Sequence, residues 1–276
     1  ERLVGGDGVP VVAQHAIGVK LAGAAEERGP ARCVYPTPPG GLEPPSYVPY
    51  VYDLRQIAGN ASVTRSYGTL VKHDLTAGLG FFSFNASPPG GFPFDRATIT
   101  SYVRDVLPRS EDAAYLLLGY RTRSITFLQL QNINTFALTE DFTLGHDLAL
   151  ASHFALNPDD PEQSYVYFTL ESGYLWRLGD DLLSVSLAAG TRWQPGLYSL
   201  RYTSPWGNAA LKAGLRNISP RLWLGRLHLL LHGTFRHNNI DHARSSLGGD
   251  SLLRGYPRDF LVGENVLGVN LEYRSI

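Results

Sequence analysis

Long segments that alternate apolar and polar residues recur along this 276-residue chain, and they constrain its fold more than any other feature. In the segment 164–177, Phe168 and Trp176 share one side of an extended chain, while Glu171 lies on the other. A period of two indicates a β-strand whose two faces differ. The sequence therefore predicts an all-β chain. Its candidate strands are 11–22, 52–65, 67–84, 112–121, 124–136, 143–156, 164–177, 181–193, 197–204, 208–216, 222–236 and 264–275.

The length of these segments favours a membrane protein. Many run to about ten residues or more, and a tilted transmembrane strand needs ~9–11. Strands of globular proteins usually have about five or six residues. Large apolar groups on one face and small or polar groups on the other suit a wall between lipid and a wet interior. A soluble β-sandwich shows the same alternation with its apolar face inward, so periodicity alone leaves both open.

The composition narrows the class of protein further. The net charge of -1, from 24 basic and 25 acidic residues, gives no basic surface for nucleic acid. No apolar run approaches the ~18 residues of a spanning helix. The single cysteine, Cys33, excludes an internal disulfide framework and a cysteine-rich metal site. Because the sequence has no methionine and no signal peptide, we expect a processed or partial product of a longer protein.

Three connections between the candidate strands are long, and they fall on one side of the predicted sheet. They are 23–51, 85–111 and 237–263, which are the first, third and eleventh connections of the twelve-strand count. Outer-membrane barrels have short turns on one side and long loops on the other. No second domain is indicated. The prediction is one antiparallel β-barrel domain over 1–276, incomplete at its C-terminus, with a loop at about 237–263 that enters the barrel.

The sequence contains no recognisable catalytic or metal-binding motif. His228 and His232 share a strand face but are about 13 Å apart at strand rise, too far to bind one metal. His237, Asp241 and His242 flank the last long loop and indicate a polar loop rather than a ligand set. We therefore expect no enzymatic activity, no cofactor and no metal.

The segment 247–274 carries the most specific motif, LGGDSLLRGYPRDFLVGENVLGVNLEYR. The glycine pair Gly248-Gly249 leads into Arg254-Gly255-Tyr256, and a strictly alternating strand follows. This strand has Leu267, Val269, Leu271 and Tyr273 on one side and Gly268, Asn270, Glu272 and Arg274 on the other. The pattern resembles the BamA/TamA superfamily of outer-membrane assembly and transport barrels, also called the bacterial surface antigen family.

The resemblance implies a transmembrane β-barrel of a bacterial outer membrane, with about twelve of sixteen strands in this chain. It implies insertion of outer-membrane proteins or passage of polypeptides across that membrane. The implied partners are the lipid bilayer, unfolded outer-membrane polypeptides and envelope accessory proteins. Two other readings remain open: a passive porin or surface-structural barrel, and a soluble β-sandwich that binds protein or carbohydrate.

The resemblance also implies roles for particular residues. Arg254 would enter the barrel lumen and pair with acidic side chains of the inner wall, because an unpaired guanidinium there is costly. Gly255 would permit a tight backbone path, and Tyr256 would pack the loop tip against the wall. Glu272 points inward by alternation and is a candidate carboxylate neighbour, with Asn270 and Arg274 completing a polar row.

Overall fold

The computed structural model is built almost entirely of β-strands. It describes residues 18–22, 32–35, 46–49, 52–91, 93–133, 138–157, 160–197, 204–248, 256 and 261–275, with the backbone alone for the first three ranges. The strands are β1 (Gly18–Ala22), β2 (Arg32–Tyr35), β3 (Ser46–Pro49), β4 (Asp53–Tyr67), β5 (Val71–Ser87), β6 (Glu111–Ser124), β7 (Thr126–Gln131), β8 (Thr139–Leu156), β9 (Tyr165–Leu178), β10 (Asp181–Trp193), β11 (Trp206–Ile218), β12 (Gly225–His237), β13 (Ser245–Leu247), β14 (Leu261–Gly263) and β15 (Val266–Ser275). The helical elements are α1 (Arg96–Asp105) and two 3₁₀ turns, Pro161–Gln163 and Pro195–Leu197.

One large antiparallel sheet dominates the fold, so the all-β prediction is confirmed. Its strand order is β1-β4-β5-β6-β8-β9-β10-β11-β12-β15, and β7 pairs with β8 outside this path. Two small sheets, β2-β3 and β13-β14, lie within connections of the large one. Each main strand pairs with the next one along the chain, which gives a meander. Within the described residues no pairing joins β1 to β15, so the sheet is open there.

The predicted turn between the candidate strands 112–121 and 124–136 is wrong. Both β6 and β7 pair antiparallel with β8, β6 through 147–156 and β7 through 139–144. They are therefore two stretches of one long strand, interrupted at Ile125. The reason is local: Thr122 and Arg123, the two residues between the candidate strands, include no glycine or proline to reverse the chain.

The predicted strand at 197–204 is also wrong as a member of the main sheet. β10 and β11 pair directly along most of their length, so no strand lies between them. Leu197 closes the 3₁₀ turn Pro195–Leu197, and 198–203 lie outside the described residues. Among the described residues the main path therefore has ten strands rather than twelve. Nine of them, rather than eleven, precede the last long connection.

The long connections nevertheless meet at one end of the strands of the large sheet. In the observed order they are the first, third and ninth connections, and odd-numbered connections of a meander all lie at the same end of the strands. The ring nitrogen Nδ1 of His242, in the ninth, lies 3.0 Å from the carbonyl oxygen of Leu107, in the third. We call this end of the sheet the long-loop end, and the opposite end the short-turn end.

The helix α1 belongs to the third connection and packs on the sheet at the long-loop end. Asp95 caps its N-terminus by accepting hydrogen bonds from the backbone amides of Ala97 and Thr98. Tyr102 is fully buried and packs with Ala86 of β5. The helix therefore covers part of the sheet at the long-loop end.

A second apolar cluster closes the short-turn end. Its buried members are Ile133, Leu182 and Ile218, from the β7–β8 turn, β10 and β11. Gly145, opposite the break between β6 and β7, has φ +95°, a conformation that suits glycine. We infer that this break lets the β7–β8 hairpin bend over the sheet towards β10 and β11.

Candidate functional site

The pairing register divides the large sheet into two faces. Directly paired residues of neighbouring strands share a face. One row runs Arg121, Ala149, Glu171, Ala188 and Lys212 across β6, β8, β9, β10 and β11. We call the face that carries this row the inner face and the opposite one the outer face.

The outer face exposes large apolar side chains. In β15 the residue Leu267 is 72% exposed and Leu271 is 62% exposed, while Asn270 and Glu272 on the opposite side of the strand are partly buried. The alternation is the predicted one, and the apolar side chains are on the face that no other part of the described structure covers. In a soluble sandwich the apolar side would be covered by a second sheet. Other exposed members of the outer face are Val63, Leu75, Leu79, Phe81, Leu116, Leu118, Leu150, Phe154, Phe168, Trp176, Val185, Leu211, Phe235 and Val269.

The inner face is concave. It holds a cavity of about 540 Å³ lined by side chains from β6 through β12. Near the long-loop end, Nη1 of Arg192 in β10 donates to Oε2 of Glu111 in β6 over 2.7 Å. These strands are three steps apart, about 14 Å along a flat sheet, so the sheet must curve to bring the two side chains together.

The structure brings together the predicted polar row at the end of the chain. Asn270, Glu272 and Arg274 all lie on the inner face. Glu272 accepts hydrogen bonds from Nδ2 of Asn270, at 3.2 Å, and from Nε and Nη2 of Arg274, at 2.9 and 2.7 Å. The three residues therefore form one hydrogen-bonded group. The alternation of the sequence predicted that they share a face, but not that they bond to one another.

Most of the predicted loop motif lies outside the described residues. This holds for Gly249, Arg254 and Gly255. Gly248 is described and has φ +136°, a backbone conformation that favours glycine. Tyr256 is about half exposed. The proposed entry of Arg254 into a lumen therefore stays a prediction.

The inner face carries ion pairs that the sequence did not reveal. Arg121 of β6 donates two hydrogen bonds to the carboxylate of Asp147 in β8, one from Nε at 2.8 Å and one from Nη2. Arg123 lies 3.5 Å from Asp74 of β5. Each pair crosses between neighbouring strands. The alternation pattern offered one usable signal, because it places all four of these charged residues on the inner face of the sheet.

A buried polar cluster forms at the long-loop end of the inner face. Arg192 is 3% exposed, pairs with Glu111 and has its guanidinium carbon 3.6 Å from the ring centre of Tyr165. Asp241, in the ninth connection, accepts a 2.5 Å hydrogen bond from Nδ2 of Asn208. Burial raises the pKa of the Asp241 carboxyl above its usual range, although Arg192 opposes the shift. The cluster ties β6, β9, β10 and the last long connection together.

The histidines considered as ligands lie on β12 and in the ninth connection. His228 and His232 lie on the inner face, in register with Glu272 and Gly268 of β15. His242 contacts the backbone of the third connection. Among the described residues, no group of three or more histidine, cysteine or acidic side chains is placed to hold a metal ion. In the same part of the chain, no helix has the length and apolar character needed to cross a membrane.

Comparison of the chain with protein-family models, curated proteins and solved structures gives no match. The geometry of the sheet and the resemblance of segment 247–274 are therefore the grounds for a functional proposal.

Proposed function

We propose that this chain is the membrane-embedded sheet of a bacterial outer-membrane β-barrel that inserts or translocates polypeptides. The observation that carries the membrane part is the exposed apolar outer face, opposite a polar and concave inner face. Lipid stabilises such an outer face, whereas water does not.

Aromatic residues at two levels of the outer face support this placement. Trp193 and Trp206 are directly paired towards the long-loop end, and Trp193 is in register with Val166 of β9. Towards the short-turn end, Trp176 stacks on Tyr174 with ring centres 4.2 Å apart. The ten residue-to-residue steps from Val166 to Trp176 span about 33 Å along a strand, or about 25 Å across the bilayer at a tilt of about 40°. Aromatic girdles bound an apolar band of that height in outer-membrane barrels.

The polypeptide part of the proposal rests on the resemblance of segment 247–274. It is supported by the length of the ninth connection, which leads to the last strand, and by the hydrogen-bonded inner-face row of Asn270, Glu272 and Arg274. In barrels of this kind an open sheet edge offers backbone groups to an incoming strand.

A passive pore is the second candidate. The observation that favours it is the inner-face cavity, which is lined by charges of both signs, including Arg121, Asp147, Glu171 and Lys212. Pores select solutes by the charged side chains of their walls.

The membrane proposal is tested by circular dichroism and by gel mobility with and without heating, on protein purified with and without detergent. We expect a β-rich protein that stays soluble only in detergent and whose mobility changes on boiling. A β-rich monomer that is stable in plain buffer would contradict membrane embedding and revive the soluble sandwich.

The polypeptide proposal needs a separate assay. The protein is reconstituted in lipid vesicles, and folding of an added urea-unfolded outer-membrane barrel protein is followed by its heat-sensitive gel shift. We expect faster folding than in empty vesicles. Equal rates, from a protein that is itself folded in the vesicles, would favour the passive pore.

The motif is tested in the same assay by Arg254→Ala, with Arg258→Ala as the matched control in the same loop. We expect Arg254→Ala alone to slow folding of the added protein and to increase cleavage of the 237–263 loop by protease, with unchanged strand content. Unchanged loop protection in Arg254→Ala would remove the proposed docking role of the motif.

A further inference from the structure

We propose that the inner-face cavity is a binding site for a small zwitterion of the amino-acid or dipeptide class. Glu171 would receive the ammonium group of the ligand, and Lys212 its carboxylate. The inference goes beyond the proposed function, because it depends on the geometry of the inner face and not on what surrounds the outer face.

Two opposite charges face each other across the floor of the cavity. Ala188 of β10 is paired with Glu171 of β9 on one side and with Lys212 of β11 on the other. All three residues line the cavity. The backbones of the two charged residues are two strand spacings apart, about 10 Å, with the methyl group of Ala188 between them. Within the described part of the chain, neither Glu171 nor Lys212 forms a hydrogen bond or an ion pair.

The other residues that line the cavity make its β8–β9 side differ in electrostatic character from its β11–β12 side. On the β8–β9 side, Arg121 and Asp147 neutralise each other as a two-bond ion pair, which leaves the charge of Glu171 in excess. On the β11–β12 side, the two ring nitrogens of His232 are buried and have no hydrogen-bond partner among the described residues. Their potential partners are groups of a ligand, since buried polar atoms are normally satisfied.

Small residues leave the room between these two sides. Gly173, Ser186 and Gly214 are directly paired neighbours on β9, β10 and β11, and all line the cavity. A Cβ atom at Gly214 would lie 2.6 Å from Oγ of Ser186, so the inner surface is kept free of larger side chains here. The cavity volume of about 540 Å³ is within the usual range for small-molecule sites, about 300–1,000 Å³.

The spacing of the charges selects the class of ligand. Two opposite charges separated by a short gap fit a ligand that carries one ammonium group and one carboxylate group a few bonds apart. Amino acids and dipeptides have this arrangement of charges. A ligand with a single charge would satisfy one side and leave the other charge unpaired, which costs binding energy.

The test is calorimetric titration of the folded, purified full chain with the dipeptide alanyl-alanine, its N-acetyl derivative and its C-terminal amide. We expect saturable binding of the dipeptide and at least tenfold weaker binding of each blocked form. Absence of saturable dipeptide binding would overturn the proposal, whether or not the chain proves to be a membrane barrel.

Variants assign the two ends of the ligand. Glu171→Gln should weaken dipeptide binding about tenfold or more and leave the N-acetyl derivative unaffected. Lys212→Gln should weaken dipeptide binding similarly and leave the amide unaffected. The matched control is Lys72→Gln, which changes an inner-face charge on β5 outside the cavity lining. Dipeptide binding that is equal in all three variants and the parent chain would also overturn the proposal.

Discussion

The two faces of the large sheet reverse the usual distribution of side chains. On the outer face Leu267 and Val269 are 72% and 66% exposed, whereas on the inner face Arg192 is only 3% exposed. In water-soluble proteins leucine is among the residues most often buried, and arginine is almost never fully buried unless it is paired. This difference between the faces is the observation on which the proposed membrane setting rests.

The largest expected effect comes from removing a charge that the inner face buries. Arg192→Met leaves the Glu111 carboxylate buried without its partner and should lower the free energy of unfolding by about 3–5 kcal/mol. The matched change is Arg177→Met, which removes an exposed arginine whose Nη2 lies 3.8 Å from Asp180. It should cost no more than about 1 kcal/mol. Urea titration measures both, and equal losses would contradict the burial of charge on the inner face.

A charge placed on the outer face should have the next largest effect. Leu150 and Leu170 are paired at mid-height of the apolar band. In a bilayer, Leu150→Arg should cost about 2–4 kcal/mol of unfolding free energy. On the inner face, Thr169→Arg lies at the same height and should cost far less. If water covers the outer face, Leu150→Arg should instead stay within about 0.5 kcal/mol.

A smaller effect is expected where β6 gives way to β7. Gly145→Ala places a Cβ atom in steric conflict with Oγ of Ser124 and forces an alanine to φ +95°. The cost should be about 1–3 kcal/mol of unfolding free energy. Gly119→Ala is the control, because its Cβ would meet Thr76 at an ordinary 3.5 Å. Equal stability of the two variants would show that the bend at Gly145 is relaxed.

The smallest effect concerns pH at the long-loop end. Burial raises the pKa of the Asp241 carboxyl in the folded chain above the usual aspartate value of 3.8. Its contribution to loop docking is therefore complete below pH 3.8 and is lost as the pH rises through the folded-state pKa. Hydrogen exchange of residues 238–244 should accelerate over that range in the parent chain and not in Asp241→Asn. The same acceleration in the variant would assign the effect to another group.

Strand periodicity predicted most of the fold because it is a local property. The segments 164–177, 181–193 and 264–275 correspond closely to β9, β10 and β15. Their apolar and polar faces followed from the same pattern. The strand count failed at 122–123, because a break in the alternation does not show whether the chain reverses direction there. In the structure β6 and β7 run in the same direction along β8.

The remaining features depend on contacts between distant residues or on weak local signals. Arg192 and Glu111 are 81 positions apart, and no short-range pattern pairs them. The helix α1 was missed because Thr98, Ile99 and Thr100 are β-branched and weak helix formers, although the N-cap residue Asp95 was a usable signal. The row of Glu171, Ala188 and Lys212 needs the pairing register, which alternation within single strands does not supply.

Tryptophan fluorescence tests the central claim most directly, because all four tryptophans lie on the outer face or at a turn tip. Trp176, Trp193 and Trp206 are 38–46% exposed on the outer face, and Trp223 is 94% exposed in the β11–β12 turn. The protein is reconstituted in vesicles whose lipids carry bromine at a defined depth. We predict strong quenching by brominated lipid, greatest for bromine near the headgroups, and quenching by aqueous iodide that is confined to the exposed Trp223. Full quenching by iodide with no effect of brominated lipid would contradict a lipid-facing outer surface.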